Sequence, residues 1–254
     1  MFHSTHVFTG ETIYRRPAQS YTEFTDELNR LQNLQQTFAQ SSITERTALL
    51  QQFADSLTQN QERLAEMVCE EVGRCLHECR AEISKSIELI RYYVRLAPEL
   101  LAHKTIATQA SLSQVRFEPL GVVLAVMPWN YPIWQILRFA IPALCAGNAC
   151  AVKPAPSVAR VSETLFGLVP KGLPLIGAWL SHEDTLKAID FLVVFIYDRK
   201  FHFFFLRIIK MSHPNNVTWN VAYHLLTTYI AFSISKKIHS FHLLTILTSS
   251  RFRF

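Results

Sequence analysis

Glycine is absent after Gly177, and beyond residue 190 a single acid, Asp198, stands beside eight lysines and arginines. An α/β domain uses glycine at its tight βα turns, so residues 191–254 do not read as the continuation of one. Ten of the 18 phenylalanines also fall in this tail. Of the 25 lysines and arginines and 20 acids in the chain, residues 1–190 hold 17 and 19. The net charge of +5 therefore belongs to the tail and marks no nucleic-acid-binding face. A long apolar run is missing too. The best stretch, residues 221–234, contains His224, Thr227 and Thr228 and falls short of the ~18–20 residues of a spanning helix. Residues 191–209 are broken by Asp198, Arg199 and Lys200. Membrane association is thus the weaker reading of the tail, and an aberrant, unassigned extension is the expected one.

Cysteine is scarce and odd in number: Cys69, Cys75, Cys79, Cys145 and Cys150. No apolar segment fit for a signal peptide precedes Arg16, so a reducing, cytoplasmic setting is expected. Arg15 and Arg16 leave a mitochondrial alternative, which Glu11 weakens. Cys75, His77 and Cys79 form one cluster without a second, so they read as helical surface residues and no metal site is expected.

The hydrophobic share of 49% permits a sizeable core. Residues 1–20 read as an irregular or hairpin-forming lead with a turn at Thr9-Gly10-Glu11. Ser42 and Glu45 have capping-box spacing, and Leu49, Leu50, Phe53 and Leu57 follow on one helical face. Leu64, Met67 and Val68 continue after a break near Asn60, and Gly73 is the expected C-cap. Ile83, Ile87, Ile90 and Val94 predict a helix from about Cys79 to Leu96, closed by Pro98. Residues 114–118 read as extended.

Residues 121–127 form a continuous Val-rich run, as in a strand buried on both faces, and Pro128 closes it. A helix is expected over 134–146, a strand over 149–153, and a helix capped by Ser157 reaching about Leu168. Residues 173–180 read as a third strand and 182–190 as a helix. The alternation predicts an α/β fold: N-terminal helices packed on part of a Rossmann-like parallel sheet. The expected division is 1–190 for this unit and 191–254 for the basic, Phe-rich tail.

The segment EPLGVVLAVMPWNYPIWQ, residues 118–135, resembles the aldehyde dehydrogenase superfamily. So do ALCAGN at 143–148 and KPAP at 153–156. Glu45-Arg46, Glu71, Gly73-Arg74, Glu82 and Tyr92-Tyr93 stand at the family's spacing, and the resemblance spans roughly residues 7–190. Within the superfamily these motifs look most like the bacterial succinate-semialdehyde dehydrogenases.

The resemblance implies NAD(P)-dependent oxidation of an aldehyde to an acid. Asn130 would donate its side-chain amide to the aldehyde oxygen as that oxygen gains charge. Otherwise Asn130 is a turn or cap residue. Val126, Met127, Pro128 and Trp129 would lie by the cofactor, and Trp134 would wall the substrate tunnel; otherwise they are core. Lys153, with Pro154, Ala155 and Pro156, would hold the adenosine ribose; otherwise Lys153 is a solvated charge. Many family members carry a Glu where Pro156 stands, so repulsion of a 2′-phosphate is missing and the cofactor is NAD or NADP.

Three family elements are absent from the sequence: a Gly-Gln-x-Cys nucleophile, a Leu-Gly-Gly-Lys segment with its Glu, and a Thr-Gly-Ser turn after the fourth strand. Residues 191–197 imitate that fourth strand, but Asp198-Arg199-Lys200 replaces the turn, and 165–171 is shorter than the family pattern. Neither Cys145 nor Cys150 is expected to have a basic neighbour that lowers its pKa, so neither is expected to be a nucleophile. The chain therefore reads as an N-terminal fragment without turnover. The alternatives are a non-catalytic protein that associates with full-length relatives, and a membrane-associated product of the tail.

Overall fold

The computed structural model describes residues 1–109, 112–197 and 204–207. The lead is an antiparallel hairpin of β1 (Phe2–Thr5) and β2 (Thr12–Arg16), turned by Gly10 at φ +74°. Four helices follow: α1 (Tyr21–Gln40), α2 (Ile43–Gln59), α3 (Gln61–Val72) and α4 (Leu76–Leu100).

The expected capping box of Ser42 and Glu45 opens α2, and Ser20 and Glu23 build a second at α1. Gly73 adopts the left-handed conformation at the end of α3. The helix expected from about Cys79 to Leu96 is longer at both ends, and Pro98 lies inside α4. So near the C-terminus proline forfeits a single hydrogen bond, and the apolar stripe keeps the last turn in place.

A short ribbon, β3 (Lys104–Thr105) with β4 (Gln114–Val115), leads into the sheet. The sheet is built from β5 (Val122–Val126), α5 (Pro132–Cys145), β6 (Ala149–Lys153), α6 (Ala159–Gly167), β7 (Leu175–Gly177) and α7 (His182–Phe191). It ends with β8 (Val193–Tyr197) and β9 (Phe204–Arg207). The order is β7-β6-β5-β8-β9, with β5 to β8 parallel and β9 antiparallel at the edge.

Side chains alternate across the two central strands. Val123, Ala125, Cys150 and Val152 join the core formed with α2–α6; Leu124, Ala149 and Ala151 meet Phe24 and Leu31 of α1 and Ala188 of α7. Both faces are covered, which is why β5 and β6 are continuously apolar. From β5 to β7 the chain steps one way along the sheet; α7 then carries it back past β5 to β8. A right-handed crossover in the reverse direction lands on the opposite face, where α7 lies. The boundary drawn at 190/191 falls in the last turn of α7, and residues 193–197 and 204–207 are strands of this sheet.

Of the extended segment expected over 114–118 only Gln114–Val115 is a strand. The third strand covers only Leu175–Gly177. Ser157 does not cap α6: residues Pro156–Val158 form a 3-10 turn and Val158 takes the N-cap position without a side-chain bond.

Candidate active and nucleotide site

The point where the strand order reverses lies between β5 and β8, and the crevice outside the carboxyl ends of such strands is where open α/β sheets bind ligands. Val126 ends β5 between Lys153 on β6 and Ile196 on β8. The Met127 N–H donates to the Lys153 carbonyl at 3.0 Å, so the 127–131 loop and the 153–156 loop leave the sheet side by side. The structure thus brings together the residues picked from the two motifs. Met127 and Pro154 are buried, Val126, Pro128, Asn130, Lys153 and Ala155 are half-buried, and Pro156 is exposed. Trp129 and Tyr131, on either side of Asn130, are 48% and 43% exposed, large apolar surfaces open to solvent.

Asn130 has a buried Oδ1 with no hydrogen-bond partner among the described residues. A plain turn or cap residue would spend that oxygen on the backbone. The Lys153 ammonium is held below its ordinary value by burial, and its contacts are its neighbour's carbonyl, Pro154, at 3.4 Å and the Phe2 ring at 5.4 Å. With no anionic partner among the described residues, this desolvated ammonium is a candidate for an anionic or hydroxyl-rich ligand. Residues that follow β8 lie outside the described residues, among them Asp198, Arg199 and Lys200. Trp134 lies in the first turn of α5 with the Lys85 ammonium 4.1 Å from its ring centroid. The hollows beside Arg16, lined by Glu27, Glu163 and Trp179 among others, include none of the motif residues.

Two carboxylates that the resemblance includes without a role reach the same region. The Oε1 of Glu82, from α4, accepts from the N–H groups of Ile133 and Trp134, both at 3.0 Å. Its Oε2 pairs with Arg74, whose guanidinium stacks 4.1 Å above the Tyr131 ring centroid. Glu71, from α3, accepts from Arg160 N at 3.0 Å and Val161 N at 2.9 Å. This carboxylate in trans is what caps α6 in place of Ser157. Burial raises both carboxyls above their ordinary value, against the pull of these donors. A helical-period reading holds the signal that would have found them: Glu71 follows Leu64, Met67 and Val68, and Glu82 falls among Cys79, Ile83 and Ser86, all on buried stripes. With the first amides of α5 and α6 already bonded to carboxylates, neither helix N-terminus is open to a phosphate.

Asn148 of the ALCAGN match is a structural residue. Its Oδ1 accepts from Leu120 N at 2.6 Å and Gly121 N at 3.3 Å, and its Nδ2 donates to the Ala143 carbonyl at 3.1 Å.

The five cysteines lie on the α3–α4 hairpin or in the core. Cys75 is exposed and Cys69 half-buried on the α3–α4 hairpin, while Cys79, Cys145 and Cys150 are buried. Burial pushes the Cys79 thiol up to about 11 and the Cys145 thiol up to about 12, and raises Cys150 as well. Cys145 does have a basic neighbour, contrary to the sequence expectation: the Arg46 charge acts on it, but burial outweighs that pull. Among the described residues no group of three His, Cys, Asp or Glu could hold a metal ion.

Residues 1–175 match the model of the aldehyde dehydrogenase family. The chain belongs to that family. It is 39% identical over 150 residues to the probable NADP(+) succinate-semialdehyde dehydrogenase of Synechocystis sp., a match covering 59% of this chain and 33% of the relative. With the NADP(+) succinate-semialdehyde dehydrogenase of Deinococcus radiodurans it shares 32% over 176 residues, 67% of this chain and 37% of the relative. The chain therefore spans about a third of the length of these curated relatives. The crystal structure of succinic semialdehyde dehydrogenase from Streptococcus pyogenes with NADP+ superposes with a TM-score of 0.73, over 77% of this chain and 45% of that one. At 24% identity that match establishes the fold, a partial aldehyde dehydrogenase fold. The succinate-semialdehyde dehydrogenase of Burkholderia pseudomallei gives a TM-score of 0.64 at 27% identity, over 74% and 40% of the two chains.

Proposed function

We propose that these residues form the nucleotide-binding half of an aldehyde dehydrogenase site of the succinate-semialdehyde type, and that the 254-residue chain alone does not oxidise aldehydes. The observation that carries this reading is that the loop holding Asn130 leaves β5 beside the β6 end at Lys153, joined by the Met127 N–H to the Lys153 carbonyl, while the five cysteines stand on other elements or buried in the core. The nicotinamide, when bound, supplies the hydride acceptor of the family reaction. Asn130 supplies an N–H donor for an aldehyde oxygen that gains negative charge under nucleophilic attack, so it favours the transition state over the ground state. Lys153 donates to the ribose hydroxyls. No carboxylate stands at Pro156, so a 2′-phosphate meets no repulsion there and NADP is accepted along with NAD. An oxyanion donor without a thiolate has no oxyanion to stabilise.

Titration calorimetry with NADP+ and NAD+ tests the binding half. A complete dinucleotide site reaches ~μM, near −8 kcal/mol; with about half the contacts, Kd is expected near the millimolar range for both nucleotides. Micromolar binding would show that the described crevice is already a complete site. The catalytic half is tested by nucleotide reduction with succinate semialdehyde, where no turnover is expected. Turnover abolished by Cys145→Ala or Cys150→Ala would sink the reading, because it would make a resident thiol the nucleophile.

A further inference from the structure

The geometry points to Glu71 and Glu82 as a matched pair of positioning residues, each anchoring one of the two site loops by capping, in trans, the helix that follows it. A helix N-terminus leaves backbone N–H groups unbonded, and an N-cap side chain ordinarily serves those at the second and third helical positions. Neither α5 nor α6 has such a side chain: their N-cap residues are Tyr131 and Val158, and neither makes a capping bond. In α5 the second and third positions are Ile133 and Trp134, and both N–H groups go to Glu82. In α6 the same positions are Arg160 and Val161, and both go to Glu71. The first position of α5 is Pro132, which has no N–H to satisfy.

The two carboxylates flank the turn between α3 and α4, so one helical hairpin holds both loops. Burying a carboxylate is tolerated because its oxygens are filled and because negative charge is favourable at a helix N-terminus. Arg74, from that same turn, completes the Glu82 site and covers Tyr131, the residue after Asn130. Arg160 completes the other by pairing its guanidinium with Glu70. Delegating the cap to α3 and α4 releases the loop residues from capping. Among the described residues Asn130 keeps an unspent side-chain oxygen, and Lys153 keeps an ammonium with no anionic partner. The functional meaning of the two loops rests on the reading above; the clamp itself does not.

Amide hydrogen exchange on the full chain, read residue by residue by NMR, tests this without nucleotide. In Glu82→Ala, the Ile133 and Trp134 amides are expected to exchange at least about tenfold faster, and the Asn130 side-chain amide and Trp129 indole signals to move, with Arg160 and Val161 unchanged. Glu71→Ala is expected to do the reverse, freeing Arg160 and Val161 and moving Ala155 and Ser157 while sparing Asn130. A merely structural loss of packing lowers thermal stability and speeds exchange in both loops together; that pattern, or no change at the named amides, overturns the proposal. Should an alanine variant not fold, the glutamine variants decide. Glu82→Gln keeps one acceptor oxygen for both N–H groups and is expected to protect them. Glu71→Gln keeps one acceptor for two N–H groups bonded to different oxygens and is expected to release one. Equal release in both variants overturns the proposal as well. A wild-type chain that shows the exchange pattern but no NADP+ binding refutes the nucleotide reading and leaves the clamp standing.

Discussion

At the residue scale the chemistry is set by which polar atoms are spent and which are left over. Asn148 spends its amide on three backbone groups; Asn130 does not. The thiols of Cys79, Cys145 and Cys150 follow the same logic, since burial outweighs the pull of any nearby cation and disfavours the thiolate. Iodoacetamide at mildly alkaline pH is therefore expected to label Cys75 first and Cys69 more slowly in the native chain, with Cys79, Cys145 and Cys150 protected until denaturant is added. Peptide mapping by mass spectrometry reads this directly, and fast native labelling of Cys145 would show that Arg46 has won over burial. The capping boxes give a second residue-scale expectation. Hydrogen bonds from the Ser20 backbone and side chain hold Glu23 below its ordinary 4.5, and Ser42 does the same for Glu45. A carboxyl with a depressed folded value adds stability above 4.5 that is lost as pH falls through that folded value. Ser42→Ala is expected to cost about 1 kcal/mol in urea unfolding at neutral pH. Glu45→Gln is expected to flatten the acid limb of the same curve; an unchanged limb would show that the box carries no pH dependence.

At the element scale, what the sequence shows and what it hides divide by distance along the chain. The strand β5 was legible because a Val-rich run ended by Pro128 describes an element buried on both faces using local letters alone. The C-cap at Gly73 and the box at Ser42 were legible for the same reason. Asn130 and Lys153 were reached only through the resemblance, since a loop asparagine and a strand-end lysine carry no signal of their own. Glu82 and Ile133 stand 51 positions apart, and Glu71 and Arg160 stand 89 apart. No local pattern states that such pairs meet, so Ser157 looked like the only available cap for α6. Gly147 is a milder case. It turns α5 into β6 at φ +88°, as a glycine after a helix suggests, yet a Cβ there would also lie 2.5 Å from Arg46 Nη1. The second, softer contact comes from a side-chain end on α2 and is invisible to the turn.

At the scale of the whole molecule the question is where the folded unit stops. Loss of glycine and of acids placed that limit near residue 190, but β8 pairs with β5 through Val193, Val194, Phe195 and Ile196, and β9 pairs with β8. A β-strand makes few demands on composition: Val and Phe are strong strand formers, and parallel pairing is a backbone property. A segment without the family's turn glycine can still supply the fourth strand. Without it β5, the most apolar strand and the one that leads into the Asn130 loop, becomes an open edge with unpaired N–H and C=O groups, a template for aggregation. No helix among the described residues is long and apolar enough to cross a membrane. Every described strand pairing lies within residues 1–207. Two shortened chains separate the possibilities. A chain of residues 1–207 is expected to stay soluble with a cooperative thermal transition and native far-UV dichroism. A chain of residues 1–190 is expected to aggregate or to melt at markedly lower temperature, because its central strand has lost a neighbour. Equal solubility and equal melting of the two would show that the β8 pairing contributes nothing, and would return the boundary to residue 190.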